Sequence, residues 1–221
     1  MRVESATADL PIRCGYLRGD VEALTAFANE CFVDELARAR GSEPLAFRIG
    51  LLGGNARLVR ALTAAAARGG WDGGQRGSSL GIAGASAFGS HIGLLAEASI
   101  GDGQRVKVTR LVAAVDAGRL VNPGLARQQI EGGLLHALAT ANGAPPEIIA
   151  AMPRARPLGA LSLATLKDLP KIEVELIASG QPAGGVSGLG ALVLAAAVAN
   201  AIFAATGLRL RRLPFDPMSP A

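Results

Sequence analysis

Seven residues, Gly184-Gly185-Val186-Ser187-Gly188-Leu189-Gly190, stand directly before the longest uncharged apolar run in the chain, Ala191 to Ala205. A turn this rich in glycine can take backbone angles that other residues resist, as a cofactor-holding turn would need. Other groups able to do chemistry are sparse. His91 and His136 have no carboxylate or serine at a spacing that marks a catalytic pair, and both read more naturally as structural residues. Asp116 ends an apolar stretch just before Gly118, a position where ligand-facing residues lie in α/β proteins, although it could equally cap the turn to Asn122. Cys14 and Cys31 lack any CxxC or Cys/His ligand spacing. That argues against zinc or an iron–sulfur cluster, so no metal ligand is assigned, and both thiols are expected as small buried hydrophobes. No GxGxxG follows a strand-like segment, no phosphate-binding GKS/T loop occurs, and GASAFG lacks the spacing of a nucleophile elbow.

The elements that must position these groups begin with three helices. Residues 22–40 form the first, with Leu24, Phe27, Cys31 and Leu36 at helical spacing and Gly41 as its stop. SEPLAFRIGLL makes the second, with Ser42 as N-cap, and Asn55 caps the third, which ends at Gly69-Gly70. A glycine-rich linker, residues 71–77, separates this helical front, residues 1–70, from a mixed α/β rear, residues 78–221. The two are expected to form one continuous fold. In the rear, GIAGASAFG and IGLLAEASI read as strands, and Asp102-Gly103 as a hairpin turn into RVKVTRLVAAVD, half buried at first and fully buried at its end. Asn122-Pro123 starts a helix through residue 143. Residues 144–167, with three prolines, read as loop with one short helix. KIEVELI alternates as a strand with Glu173 and Glu175 outward, and a buried helix follows from about Ala191. The order ααα, βββ, α, β, α, β implies an α+β fold with a mixed, partly antiparallel sheet and packed helices.

Bulk composition narrows the function classes. Half of the 221 residues are apolar, 18% are charged and 4% aromatic, with a formal charge of +4. Single-stranded nucleic acid needs aromatic platforms as well as positive charge, and LRLRRL (Leu208 to Leu213) is the densest basic cluster, so a solvated basic rim is expected and no nucleic-acid partner. The run Ala191 to Ala205 is alanine-rich and interrupted by Asn200, whereas a bilayer span needs about twenty strongly apolar residues; a core helix is expected and no membrane span. The first sixteen residues contain no apolar signal segment, which with the unpatterned cysteines points to a cytoplasmic protein.

The order of several blocks carries a resemblance. LPIRCGYLRG, FANECFVDELA, PLAFRIGLL, FGSHIGLLAEASI, VDAGRLVNPGLARQQIEGG, PKIEVELI, GGVSGLG and AVANAIFAATGLRLRRLPF follow one another from Leu10 to Phe215. This series resembles the C-terminal part of the molybdopterin-binding large subunit of molybdenum hydroxylases, the xanthine dehydrogenase and aldehyde oxidase family, and especially the isoquinoline 1-oxidoreductase beta-subunit type.

The resemblance implies a molybdenum centre on a pyranopterin, hydroxylating aromatic heterocycles or aldehydes with oxygen from water, with one glutamate as base. That glutamate belongs to a Gly-Gly-Val-Gly-Glu-Pro-Gly turn, and here Gly188 stands in its place and Leu189 in place of the proline. No catalytic residue is therefore assigned. By the same resemblance Arg18, Gln129, Gly185 and Gly188 are cofactor-facing. The family's upstream glycine-rich block is absent, so the implied molybdopterin is not expected to stay on the isolated chain. The implied partners are a separate N-terminal large-subunit chain and an iron–sulfur subunit, and a homo-oligomer is expected from the apolar surface a fragment would expose; the alternative is a non-enzymatic interaction or assembly module that retains the fold.

Overall fold

The computed structural model describes residue 6 and residues 15–144, 147–150, 152–154, 157–161 and 165–218. The expectation for Cys14 lies outside them. Five helices are present, α1 (Asp20–Ala39), α2 (Pro44–Leu51), α3 (Ala56–Gly69), α4 (Pro123–Asn142) and α5 (Leu189–Thr206). The strands are β1 (Leu80–Ala87), β2 (Ser90–Ile100), β3 (Val106–Asp116), the two-residue β4 (Ile148–Ile149) and β5 (Met152–Pro153), and β6 (Lys171–Leu176).

Strands β1, β2, β3 and β6 form one sheet in that order, antiparallel except for the β3–β6 pair, which is parallel and bridged by α4 as a crossover. The α+β class with a mixed sheet is therefore present. Helix α3 covers one face of the sheet and α5 the other, with α1 and α4 packed on the outer side of α5. Strand residues alternate between the two layers. Ile82 joins Leu58 and Leu62 under α3, while Ala83 and Leu94 join the larger core around α5. The paired glycines Gly84 and Gly93 let α3 lie directly on the sheet; a Cβ on Gly93 would stand 2.5 Å from Ala61 O.

Helix α5 is long and apolar enough to cross a membrane by length and composition alone, but 83% of it is buried inside this fold. Asn200, which interrupts the run, is fully buried and satisfied: its Nδ2 donates to Ile82 O at 3.2 Å and its Oδ1 accepts from Arg209 Nη1 at 3.0 Å. It belongs to an ion network that joins the chain's end to its first helices. Asp34 of α1 accepts from Arg38 Nε at 2.7 Å and Arg209 Nη2 at 2.9 Å, and Arg48 of α2 reaches Glu30 at 2.7 Å. The guanidinium of Arg209 lies 3.6 Å from the Phe203 ring centroid, and Arg211 pairs with Glu35. Of the arginines in LRLRRL, Arg209 is withdrawn into this network, a correction to the solvated rim expected from sequence, while Arg211 and Arg212 stay exposed on it.

Local expectations hold where capping and periodicity are strong. Asn55 accepts from Leu58 N and Asn122 from Leu125 N, and α3 ends at Gly70 in a left-handed conformation. Strand β3 is half buried and then fully buried. Four details differ. Glu43, not Ser42, caps α2, because its longer carboxylate accepts from both Leu45 N and Ala46 N. The β2–β3 connection is a longer loop, Gly101 to Arg105, with a short 3₁₀ turn inside it. Residues 144–167 contain, in their described parts, the small β4–β5 ladder and a 3₁₀ turn at Leu158–Leu161. No strand follows α5 among the described residues, since the arginines there are held by side-chain pairs.

Candidate functional site

After β6 the chain crosses the end of the sheet and enters α5 through the glycine turn. Backbone bonds seat this crossing: Gly184 N–H donates to Ala117 O at 2.9 Å and Gly185 N–H to Phe88 O at 2.8 Å. A Cβ on Gly184 would overlap Ser90 Oγ, one on Gly185 would stand 3.0 Å from Phe88 Cβ, and one on Gly188 would stand 2.9 Å from the Phe88 ring edge. None of these glycines has a positive φ. Close approach, not a left-handed backbone, is what requires them. Gly188 is the N-cap of α5 at φ −95° and is buried beneath Phe88 rather than opening on a cleft.

Three of the four residues nominated from sequence meet at one point. Arg18, from the segment leading into α1, donates from Nε to Ser187 O at 2.6 Å and from Nη2 to Gln129 O at 2.8 Å and Gln129 Oε1 at 3.1 Å. Gly188 follows Ser187, and a Cβ on it would lie 3.7 Å from Gly19 N. Arg18 thereby fastens the entry of α1 to α4 and to the N-terminus of α5. Gly185 lies off this clasp, under Phe88. Sequence reasoning missed Phe88, which is 42% exposed and holds a left-handed backbone at φ 55°. A bulky residue in that region is an uncommon, strained choice that clusters at functional sites. The Phe-Gly pair between two strand-like runs was the available signal.

Asp116 makes a second centre beside the turn. Its carboxylate is fully buried and accepts from Arg57 Nη2 at 2.7 Å, Arg60 Nη2 at 2.5 Å, Ser179 Oγ at 2.7 Å and Gly118 N at 3.1 Å. The Arg57 bond, above all, holds the carboxyl well below the usual carboxylate range despite burial. Asp116 thus pins α3 to the loops after β3 and β6, and through Gly118 N–H it also caps the start of the turn that leads to Asn122. His91 is its register neighbour. The ring Nδ1 of His91 lies 2.7 Å from Ser86 Oγ, a partner supplied across the β1–β2 hairpin that residue spacing did not reveal. Burial, reinforced by the Arg57 cation, holds this imidazole below its ordinary value, so it is neutral near pH 7.

The remaining chemistry-bearing groups are structural. Cys31 is buried, as expected, and loss of water pushes its thiol up to about 12. The His136 carbonyl accepts from Thr140 Oγ1 at 2.9 Å, and its ring has no hydrogen-bond partner among the described residues. No cluster of His, Cys, Asp or Glu suited to a metal ion exists among the described residues. Leu24 and Leu36, expected on the buried face of α1, are 63% and 39% exposed, and Val21 and Phe32 join them on an outward apolar stripe. Phe27, Cys31, Asp34 and Ala37 face inward instead, because the inner face is the one that meets α5.

Residues 85–142, from the end of β1 through α4, match the molybdopterin cofactor-binding domain family. The chain carries a segment of a molybdopterin-binding domain. Phe88, His91, Asp116 and Gln129 fall within the matched residues of this segment, and Arg18, Gly185 and Gly188 outside them. Over 222 residues it is 28% identical to isoquinoline 1-oxidoreductase subunit beta of Brevundimonas diminuta, an alignment covering 98% of this chain and 28% of that protein. It is 29% identical over 231 residues to a membrane-bound aldehyde dehydrogenase (pyrroloquinoline-quinone) of Gluconacetobacter polyoxogenes, covering 95% of this chain and 30% of that one. The chain therefore spans less than a third of the length of either relative. In fold it resembles quinoline 2-oxidoreductase from Pseudomonas putida 86, with a TM-score of 0.51 at 21% identity over 58% of this chain and 18% of the other.

Proposed function

We propose that this molybdenum-hydroxylase-like chain forms one wall of a molybdopterin site that other polypeptides complete, and that it does not itself supply the catalytic base. The observation that carries this reading is the clasp of Arg18, Gln129 and the Ser187–Gly188 turn, where three segments distant in sequence converge on the residues the resemblance assigns to the cofactor. The groups presented there are donors: the second Arg18 amino group and the Gln129 amide, whereas the Leu189 and Ala191 N–H groups at the start of α5 are taken by Val186 O and Gly188 O. A donor-rich edge fits an acceptor-rich pyranopterin, and the half-exposed side chains leave their outer sides free for it. Bound molybdopterin would supply the redox and oxygen-transfer chemistry. The chain's own part is to orient and hold. Arg18 fixes the tilt of the Gln129 amide, and Phe88 shields the turn from water.

No carboxylate stands within the turn, and Gly188 lies where the family's base would be. A positioned general base is worth about 10²- to 10⁴-fold in rate, so the chain alone is an inactive large-subunit piece on this reading. The partners are a chain carrying the rest of the large subunit and an iron–sulfur subunit. A cytoplasmic site of action accords with Cys31 remaining a free thiol.

The test has two arms. The isolated chain should contain no molybdenum by elemental analysis, whereas the tagged chain recovered from its own cells with its partners should contain it, less so in the Arg18→Ala variant. Gly188→Glu in that assembly should raise hydroxylation of aromatic heterocycles or aldehydes by about 10²-fold or more. The backbone at φ −95° suits any residue, but the added side chain fits only if the Phe88 ring, 2.9 Å from the new Cβ, swings aside, so folding of the variant is checked by circular dichroism first. Stoichiometric molybdenum in the isolated chain, or a loaded assembly indifferent to Arg18→Ala, would overturn the proposal.

A further inference from the structure

The parallel pair β3–β6 and its crossover α4 enclose a cleft of about 680 Å³ at the carboxyl ends of the strands. Crevices at that end of a parallel pair are where α/β folds place ligands. Three arginines from three different elements line it: Arg68 near the end of α3, Arg119 in the β3–α4 loop and Arg127 on α4. Leu120, Pro123 and Leu176 supply apolar wall. Gln129 and Arg127 are two residues apart on α4, so they point to different sides of the helix, and the cleft is separate from the Arg18 clasp.

Charge in the cleft does not cancel. Arg119 has no side-chain partner among the described residues, and its backbone N–H is occupied by Gln181 O at 2.9 Å, which anchors the loop that presents it. Arg127 spends one amino group on Val174 O and keeps the rest. Arg68 reaches Glu173 and Glu175 only at 3.6 and 3.9 Å. Glu175 is the one carboxylate in the lining, while Glu173 is already held by Arg110 and Lys171. Three guanidiniums facing one carboxylate leave a surplus of two positive charges.

We infer that this cleft is a binding site for a small phosphate-bearing dianion, a phosphomonoester whose organic part rests on the apolar wall. The surplus charge matches a dianion. Guanidinium forks suit phosphate oxygens, to which they make short paired bonds. Arg119 is the specificity-determining contact, and Arg68 and Arg127, tethered by their existing partners, frame the anion from the sides. The inference stands independently of the molybdopterin reading, because it uses none of the residues of the clasp.

Calorimetric titration of the full chain with glycerol 3-phosphate, against inorganic phosphate and against chloride at matched ionic strength, tests it. Saturable one-to-one binding is expected, weakened about tenfold or more in Arg119→Ala, which corresponds to losing one charge-assisted contact. Arg40→Ala, an exposed arginine at the end of α1, should bind as the parent does. Tighter binding of the ester than of free phosphate assigns the apolar wall to the organic part; equal affinity makes inorganic phosphate the ligand, and either upholds the site. Absence of saturable binding, an Arg119→Ala variant that folds and binds unchanged, or an equal loss in Arg40→Ala would overturn it.

Discussion

Replacing Asp116 with asparagine removes a buried negative charge while keeping nearly the same shape. In the parent, two carboxylate oxygens receive Arg57, Arg60, Ser179 and the Gly118 N–H, with the carboxylate itself wholly out of water. The amide introduced by Asp116→Asn would be an acceptor on one side only, turning a donor toward one guanidinium. Hydrogen bonds to charged groups contribute about 1.5–3 kcal/mol each, and breaking a fully buried pair costs about 3–5 kcal/mol. Arg57 and Arg60 remain 24% and 49% exposed, so water compensates part of the loss and about 3 kcal/mol is expected. With a urea m-value of about 3 kcal/mol/M, the unfolding midpoint of Asp116→Asn should fall by about 1 M. The pH dependence supplies a second reading. Because the folded carboxyl is held below its unfolded value, its contribution is present above about pH 4.5 and is lost as pH falls through the folded value; the gap between parent and variant should narrow below about pH 4. A midpoint shift under about 0.3 M at pH 7, measured by circular dichroism, would refute the claim that this carboxylate pins α3 to the sheet's end. A gap that widened on acidification would do so equally.

Two further outcomes follow from burial. The Cys31 thiol, pushed up to about 12, should resist iodoacetamide at pH 7.5 in the folded chain and react within minutes once urea unfolds it; rapid native-state labelling would contradict its placement under α5. The outward stripe of Val21, Leu24 and Phe32 should make the isolated chain self-associate, and Leu24→Glu with Phe32→Glu should return it to monomer in light scattering without lowering its midpoint. A parent chain that is already monomeric and binds no apolar dye would remove that surface from consideration.

What could be read from the residues alone was whatever short-range chemistry decides. Asn55 and Asn122 cap their helices, Gly70 and Gly207 end theirs, and β3 passes from alternating to continuous burial as its pattern requires. Those outcomes depend on neighbours within four residues. The ordered blocks also carried the family resemblance and singled out Arg18, Gln129 and Gly188 before any distance was known. Tertiary structure decided everything that depends on partners far along the chain. Periodicity alone could not say which face of α1 meets α5, because both faces carry apolar residues; packing buried Phe27 and Cys31 and left Leu24 in water. The glycine turn looked like a backbone in need of unusual angles, yet its glycines hold ordinary ones, and Phe88 and Ser90, far earlier in the chain, are what exclude a side chain. Asp116, ambiguous as a cap or a ligand-facing group, became a buried anchor once Arg57, Arg60 and Ser179 were brought to it, since a carboxylate leaves water only where cations and donors replace it.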